Sequence, residues 1–497
     1  MEGFVGVIRG YEKHRPEVEV KLQYQPLDGF AIWLETQFLG GRGPDMIVLG
    51  NNIAHRLGAR QGMLVPLTEY LDQESPYAKG ERWADTMYPI VWQNVEDPIY
   101  GETWIVPFNF FALRIFYNKG LFRQVGAETP PKTWTEFIDV QQRLQDAGIV
   151  PYLMPNNLNT GYSLTGMVYI SDMLHQSLTP KLDRLFVDGK LDGFEHNAGI
   201  YQGLINLRDP ELLEPFRLLK QWSKYWARGY NGLDRQEAKM LFAQGIGAMY
   251  FDGSWEAEAL NQAVTFDWGV FSVPTVTKKS SKYADGPRND SNFNLTFSVG
   301  SVARDRGHLD DVIDFLQYLT SPEAADTLTS YVSFVSSLKD YPVPPHLTAY
   351  APASGYPWSS PVWGVAQQTG STESGDRLKV LVQMYLADEL TATEMVDRFE
   401  PLQRRLVVEE MRYALSENHK MVKEVGGRLA VLESNLSQFP AARADTNGVD
   451  TLAVRRQKLE RQVAFVRKNF EKAQAQVVFL TDVLSEPPVW EKTAQSN

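Results

Sequence analysis

The chain has 497 residues, is 43% hydrophobic and 22% charged, and carries a formal charge of −12. That length suits about three domains with a buried core, and the acidic balance excludes nucleic acid as the main partner. The absence of cysteine excludes disulfides, thiol nucleophiles and Cys-based metal sites.

The opening stretch has no basic segment followed by an apolar core, so no export signal is legible. It enters a helix-like segment at once, Phe4 to His14. No run of about 18 apolar residues occurs, and no membrane-spanning helix is expected. Strand and helix signals then alternate. Val18 to Gln23 alternates like a strand, Gly29 to Leu39 reads as a helix, and Met46 to Leu49 reads as a buried strand. Further strand-type runs lie at Ile105–Val106, Leu113–Tyr117, Met249–Phe251, Trp268–Val273 and Leu295–Val299. Helices are predicted over Trp134–Ala147, Pro210–Ala227, Leu309–Leu319 and Pro322–Leu328. Thr133 and Glu136 are spaced as a capping box for the first of these. Such alternation predicts βα units and α/β architecture. Residues 275–290 and 341–361 read as loops.

The end of the chain has another period. Val408, Met411, Leu415, Asn418, Val422, Val425, Leu429, Leu432, Leu436 and Phe439 are spaced three and four apart. After the breaker PAARADTNGVD the spacing resumes at Leu452, Arg456, Leu459, Val463, Val466, Phe470, Ala473, Val477, Leu480 and Leu484. Two long helices joined by a short loop predict an antiparallel coiled-coil hairpin over 406–484, with a tail over 485–497. Gly426-Gly427 inside the first helix predicts a bend or a close helix approach. Residues 402–484 hold fourteen Lys/Arg against ten Asp/Glu, so a mildly basic hairpin is carried by an acidic body.

One turn stands out. The apolar run Ala248-Met-Tyr-Phe is followed by Asp252-Gly253-Ser254 and then Trp255. A large apolar ring at a strand-to-helix turn suits a surface that stacks flat solutes or sugar rings; packing under its own helix is the alternative. Catalytic constellations have little support: there is no HExxH, GxSxG, P-loop or strand-linked GxGxxG, although the plentiful carboxylates leave a glycosidase pair as an alternative. No catalytic residue, cofactor or metal ligand is assigned, and the chain is not expected to be an enzyme.

The blocks GRGPDMIVLG (41–50), YGETWIVPFNFFALRIFYNKGLF (100–122), PPKTWTEFIDVQQRLQDAGIVPY (130–152) and GIGAMYFDGSW (245–255) resemble those of the bacterial extracellular solute-binding proteins of ABC importers. The similar branch is the sugar-binding one that includes maltose-binding protein. DDVIDFLQYLTSPEAADTL (310–328) and LADELTATEMVDRF (386–399) continue the order. The resemblance implies a two-lobe, type II periplasmic-binding-protein-like fold with solute in the cleft. It places one lobe at 1–110 plus 270–315 and the other at 115–265 plus 316–405. Members begin with a strand before the helix that here starts at Phe4, so a missing first strand is expected. The hairpin lies outside the pattern.

The resemblance also implies function: a carbohydrate, expected to be an oligosaccharide, is captured outside the cytoplasm and passed to the ABC transporter permease. A lipid anchor is expected in the full precursor. The other reading is a sensor or scaffold whose hairpin docks a membrane or protein partner. Trp255 falls on a sugar-stacking tryptophan. Asn51 and Asn52 follow a strand and can bond hydroxyls, or serve only the turn. Asn109 and Phe111 sit at the first crossing between lobes. Phe111 stands where maltose-binding protein has a carboxylate; hinge core is the alternative for it and Phe110. Asp252 can accept from hydroxyls or cap the next helix. Trp358 and Trp363 can close over solute or pack beneath the Pro-rich loop. Tyr162 and Asn157 are weaker candidates.

Overall fold

Residues 2–25, 30–49, 54, 57, 61–78, 80–92, 95, 102–189, 191–286, 295–332, 335–351, 362–366, 373–438 and 451–494 are described by the computed structural model. In chain order the first elements are α1 (Glu2–His14), α2 (Phe30–Leu39), β1 (Met46–Val48), β2 (Val106–Pro107), β3 (Asn109–Phe110) and β4 (Leu113–Asn118). Then come α3 (Trp134–Asp146), β5 (Val150–Leu153), α4 (Tyr162–Asp172), α5 (Gly193–Gln202), α6 (Pro210–Ser223), α7 (Arg235–Ala243), β6 (Gly247–Gly253) and β7 (Trp268–Phe271). The last are β8 (Thr296–Val299), α8 (Leu309–Leu319), α9 (Pro322–Thr329), β9 (Val335–Ser336), α10 (Glu373–Leu386), α11 (Ala392–Gln438), α12 (Thr451–Ser485) and α13 (Val489–Ala494). The stretch Val18–Gln23, expected as a strand, joins no sheet among the described residues and is largely exposed; Val20 N donates instead to Glu12 Oε1 at 3.1 Å. Its alternation has no sheet to face.

The chain divides into two units. The first holds Met1–Asn118, Phe251–Ser272 and Asp290–Tyr356; the second holds Lys119–Tyr250, Val273–Asn289 and Pro357–Asn497. Residues 316–356, expected with the second lobe, therefore cluster with the first unit. The reason lies in α1, which packs on α8 and α9. Gly3, Gly6 and Gly10 line one face of α1, three and four apart, and side chains of Leu328, Thr327, Tyr331 and Tyr318 fill the space a Cβ would need. Tyr11 donates to Asp314 at 2.8 Å, and Arg15 pairs with Asp311 at 2.8 Å and Asp314 at 2.7 Å. In the same unit β8 lies between β1 and β2, antiparallel to both, with Ile47 opposite Ser298 and Val106 opposite Phe297. Leu34, Phe38, Ile47, Leu49, Trp104, Ile105 and Val302 form a core beside this sheet.

In the second unit β5 and β6 run parallel, with Tyr152 opposite Met249. Helix α3 starts with the full capping box predicted from Thr133 and Glu136. The core here is aromatic. Trp222 meets Tyr152 at 5.0 Å, Phe137 at 5.4 Å and Trp134 at 5.8 Å, each near edge-to-face. Such pairs add to simple area burial.

Helix α11 begins inside this unit. Met395, Val396, Phe399, Leu406 and Val407 are buried along its first turns, and it continues unbroken to Gln438. Its partner α12 returns antiparallel, since Gly426 meets Phe470 while the later Glu433 pairs with the earlier Arg467. Gly426 is the predicted close approach: a Cβ there would come within 2.9 Å of the Phe470 ring. The predicted seam is buried at Met411, Asn418, Leu429, Val463, Val466, Ala473 and Leu480, and Phe470 packs against it. Ala414, Met421, Asn469 and Gln476 are buried beside it. With Asn418, the amides of Asn469 and Gln476 put polar groups into otherwise apolar packing. Asn418 Nδ2 donates to the Ala414 carbonyl at 3.0 Å. Buried amides of this kind lower stability but fix helix register.

The root of the hairpin packs on α5, and the remainder has its own small core of Leu429, Val463 and Val466. The tail folds back as α13. Trp490 meets the Tyr201 ring at 5.8 Å and lies under the Arg404 guanidinium at 5.3 Å, and Tyr201 donates to the Glu486 carbonyl at 2.9 Å.

His196 on α5 is fully buried, with Nδ1 3.3 Å from Asn197 Oδ1. Burial depresses its pKa from 6.5 to about 4. The folded state therefore keeps the ring neutral where the unfolded chain takes up a proton. Stability from this group is full above pH 6.5 and is lost as pH falls toward 4. The stability of a His196→Gln variant relative to wild type should rise as pH falls over that range, by up to ~1.4 kcal/mol per pH unit. Chemical denaturation at a series of pH values checks this; a constant difference would refute it.

Candidate functional site

Strand β6 is buried along all seven residues. A single turn of 3₁₀ helix, Ser254–Glu256, follows, and Ser254 N donates to the Ala112 carbonyl at 3.0 Å. That bond ties the turn to the segment just before β4. Trp255 emerges from it 42% exposed, in contrast to its buried neighbours Ser254 and Glu256. Its ring meets Phe111 nearly edge-to-face, with centroids 5.2 Å apart and planes at 70°. Phe111 is itself only partly buried. The structure thus brings together two of the predicted residues as an aromatic pair on the first unit.

Asp252 is placed differently from its expectation. Its side chain is fully buried, and Oδ1 accepts from Gly253 N at 2.8 Å. It makes no helix cap and has no surface with which to meet a solute. Both faces of β6 are covered, so its side chain lies in the interior, near Tyr350 and with Arg114 on β4 close to the same ring. Arg114 donates from Nε to the Ala349 carbonyl at 3.0 Å and from Nη1 to the Leu113 carbonyl at 2.9 Å. Burial pushes the Tyr350 hydroxyl far above its usual range; Arg114 opposes the shift and Asp252 adds to it. This charged cluster supports the strand from behind. Arg114 and Tyr350 carried no signal that would single them out in the sequence.

Asn109 serves the fold through its Oδ1, which accepts from Leu295 N at 3.0 Å. Phe110 is buried against Tyr88, with centroids 5.7 Å apart, and so belongs to the core. Asn51, Asn52 and Trp358 lie outside the described residues.

On the second unit, the chain leaves β5 through Pro155 and enters α4 at Tyr162. Asn156 is fully buried, donates to Asn231 Oδ1 at 2.7 Å and accepts from Ser163 N at 3.2 Å. Asn157 uses its side-chain oxygen to accept from Thr160 N at 2.9 Å. These bonds shape the loop that carries the half-exposed Tyr162, whose ring has the Arg235 guanidinium 5.9 Å above it. Arg235 was missed in the sequence, where nothing linked it to Tyr162.

Trp363 is corrected. It is fully buried in the second unit, 4.7 Å from the Phe216 ring and 6.2 Å from that of Phe399, and its Nε1 donates to the Leu212 carbonyl at 2.7 Å. It is a core residue. Among the described residues, no three His, Asp or Glu converge as metal ligands.

The family described as bacterial extracellular solute-binding protein matches residues 1–326. A diacetylchitobiose binding protein, NgcE, of Streptomyces coelicolor is 26% identical over 264 residues, 52% of this chain and 51% of that protein. The sn-glycerol-3-phosphate-binding periplasmic protein UgpB of Salmonella typhimurium is 25% identical over 223 residues, covering 44% and 45% of the two. The chain thus spans about half the length of these curated relatives. Among solved structures, RafE in complex with raffinose matches with a TM-score of 0.59 at 17% identity, covering 82% of this chain and 96% of that one. A chitin oligosaccharide binding protein matches at 0.58 and 21% identity, covering 82% and 95%. The fold is therefore the type II periplasmic-binding-protein fold, here carrying the long helical pair α11 and α12. The chain belongs to the bacterial extracellular solute-binding protein family.

Proposed function

We propose that this protein is the extracytoplasmic receptor of an ABC importer, and that it captures a carbohydrate against the exposed indole of Trp255. The observation that carries this reading is the half-exposed Trp255–Phe111 pair at the end of a fully buried strand. An apolar ring kept in water is unfavourable unless something else covers it. A pyranose presents an apolar C–H face of matching size. Relatives named for diacetylchitobiose, raffinose and chitin oligosaccharides make an oligosaccharide the first candidate. Asn109, a partly buried residue of the same unit, would help to orient its hydroxyls. The receptor binds its solute without turnover and hands it to the membrane permease; in the full precursor a lipid anchor would hold it at the cell surface.

Calorimetry with N,N′-diacetylchitobiose, chitotetraose, raffinose and sn-glycerol-3-phosphate tests the reading. At least one glycan should bind, and Trp255→Ala should weaken it by about 1–3 kcal/mol, roughly the range for burying an apolar side chain. Binding of sn-glycerol-3-phosphate alone, or glycan cleavage by the purified protein, would contradict it. A second reading is favoured by the separate core of the distal hairpin: this part docks a protein partner of the importer. The truncations discussed below separate the two.

A further inference from the structure

The backbone of Gly253 is extended, with φ −91° and ψ 163°, a conformation open to any residue. Glycine is therefore not required by the turn. What a side chain would meet is the indole of Trp255: a Cβ built on Gly253 falls inside the contact radii of Cζ2, Cη2 and Cζ3, and these are its three nearest neighbours. The three carbons are consecutive in the six-membered ring and nearly equidistant from that point. A point beyond the ring edge cannot satisfy this, so the point lies over the ring face. One face of the indole consequently rests on the Gly253 backbone. Phe111 stands at 70° to the indole.

We propose that Gly253 is a positioning residue that seats the indole and sets the plane on which solute stacks; the assignment rests on the receptor reading above. Because one face is closed by backbone, solute meets the ring from the remaining side only. The fixed plane selects neutral sugar rings that offer a flat apolar face, and it orders the tryptophan before solute arrives, which reduces the ordering cost of binding. A side chain at position 253 would displace the ring rather than strain the backbone.

A double-mutant cycle with 5-fluorotryptophan labelling tests this. Gly253→Ala should lower the unfolding midpoint in the wild-type background and have little effect in a Trp255→Ala background, where the space is free. The fluorine resonance assigned by Trp255→Phe should shift in Gly253→Ala while the other tryptophan resonances stay in place. Whichever of diacetylchitobiose, chitotetraose or raffinose the wild type binds should bind Gly253→Ala at least tenfold more weakly. An equal midpoint loss in both backgrounds, an unmoved Trp255 resonance, or unchanged glycan affinity would each overturn the proposal. If the wild type bound none of the glycans, the receptor reading would fail and the stacking role with it. The fluorine shift would still report whether Gly253 seats the indole, so the two failures are distinguishable.

Discussion

Trp363→Ala should cost the fold about 3–5 kcal/mol, the range for truncating a large buried aromatic side chain. The ring is fully enclosed by neighbours that include Phe216 and Phe399 and cannot be replaced by water without leaving a cavity. The substitution also removes the donor to the Leu212 carbonyl, a buried acceptor left without that bond. Trp255→Ala should do the reverse. With 42% of its surface exposed, Trp255 contributes much less to folding, and its loss should appear mainly in solute binding. Denaturant titration of both variants checks the contrast. A Trp363→Ala protein as stable as Trp255→Ala would show that the enclosed packing is wrong.

Deleting residues 406–497 should destabilise the second unit severely. The deletion strips α5 of α12 and of most of α11, and with them the buried Leu406, Val407, Met411, Leu480 and Val483. Each large apolar residue of this kind is worth about 2–5 kcal/mol on truncation to alanine. Excising only residues 423–471 and closing the gap with a short Gly-containing turn should leave the unfolding midpoint and glycan affinity near wild type. That excision removes the separate core of Leu429, Val463 and Val466 but keeps the buried Asn418 and Gln476 and the packing of the hairpin root on α5. If the excised protein binds glycan yet fails to support uptake in cells, the distal hairpin serves a partner. If uptake is normal, the docking reading is lost. Unfolding of the excised form would show that the distal core supports the body.

The sequence carried the strand-to-turn placement of Trp255, the capping box at Thr133 and the hairpin, because each depends on spacing over a few residues. It also marked Gly426 as a place of close approach. Other features depend on contacts between distant segments. Trp363 and Trp255 look alike as aromatic residues near turns, and only packing against Phe216 and Phe399 makes one of them core. Asp252 precedes a helix, as a cap would, but β6 is covered on both faces and its buried carboxylate accepts from Gly253 N. The hairpin seam was legible at Met411, Asn418, Leu429, Val463, Val466, Ala473 and Leu480, while the added burial of Ala414 and Met421 was not, because α11 and α12 also pack on α5. The glycines of α1 at positions 3, 6 and 10 drew no reading from the sequence, because their partners on α8 and α9 lie some three hundred residues away.

The unbroken course of α11 has a mechanical consequence. Its root is clamped among Met395, Val396 and Phe399, and no loop interrupts it before Gln438. From Phe399 to Leu432 the helix extends roughly 50 Å at about 1.5 Å per residue. A tilt of about 5° at the root would swing the far end by roughly 4 Å. The hairpin is a lever arm: small adjustments among core side chains arrive at its tip magnified, where another molecule could sense them.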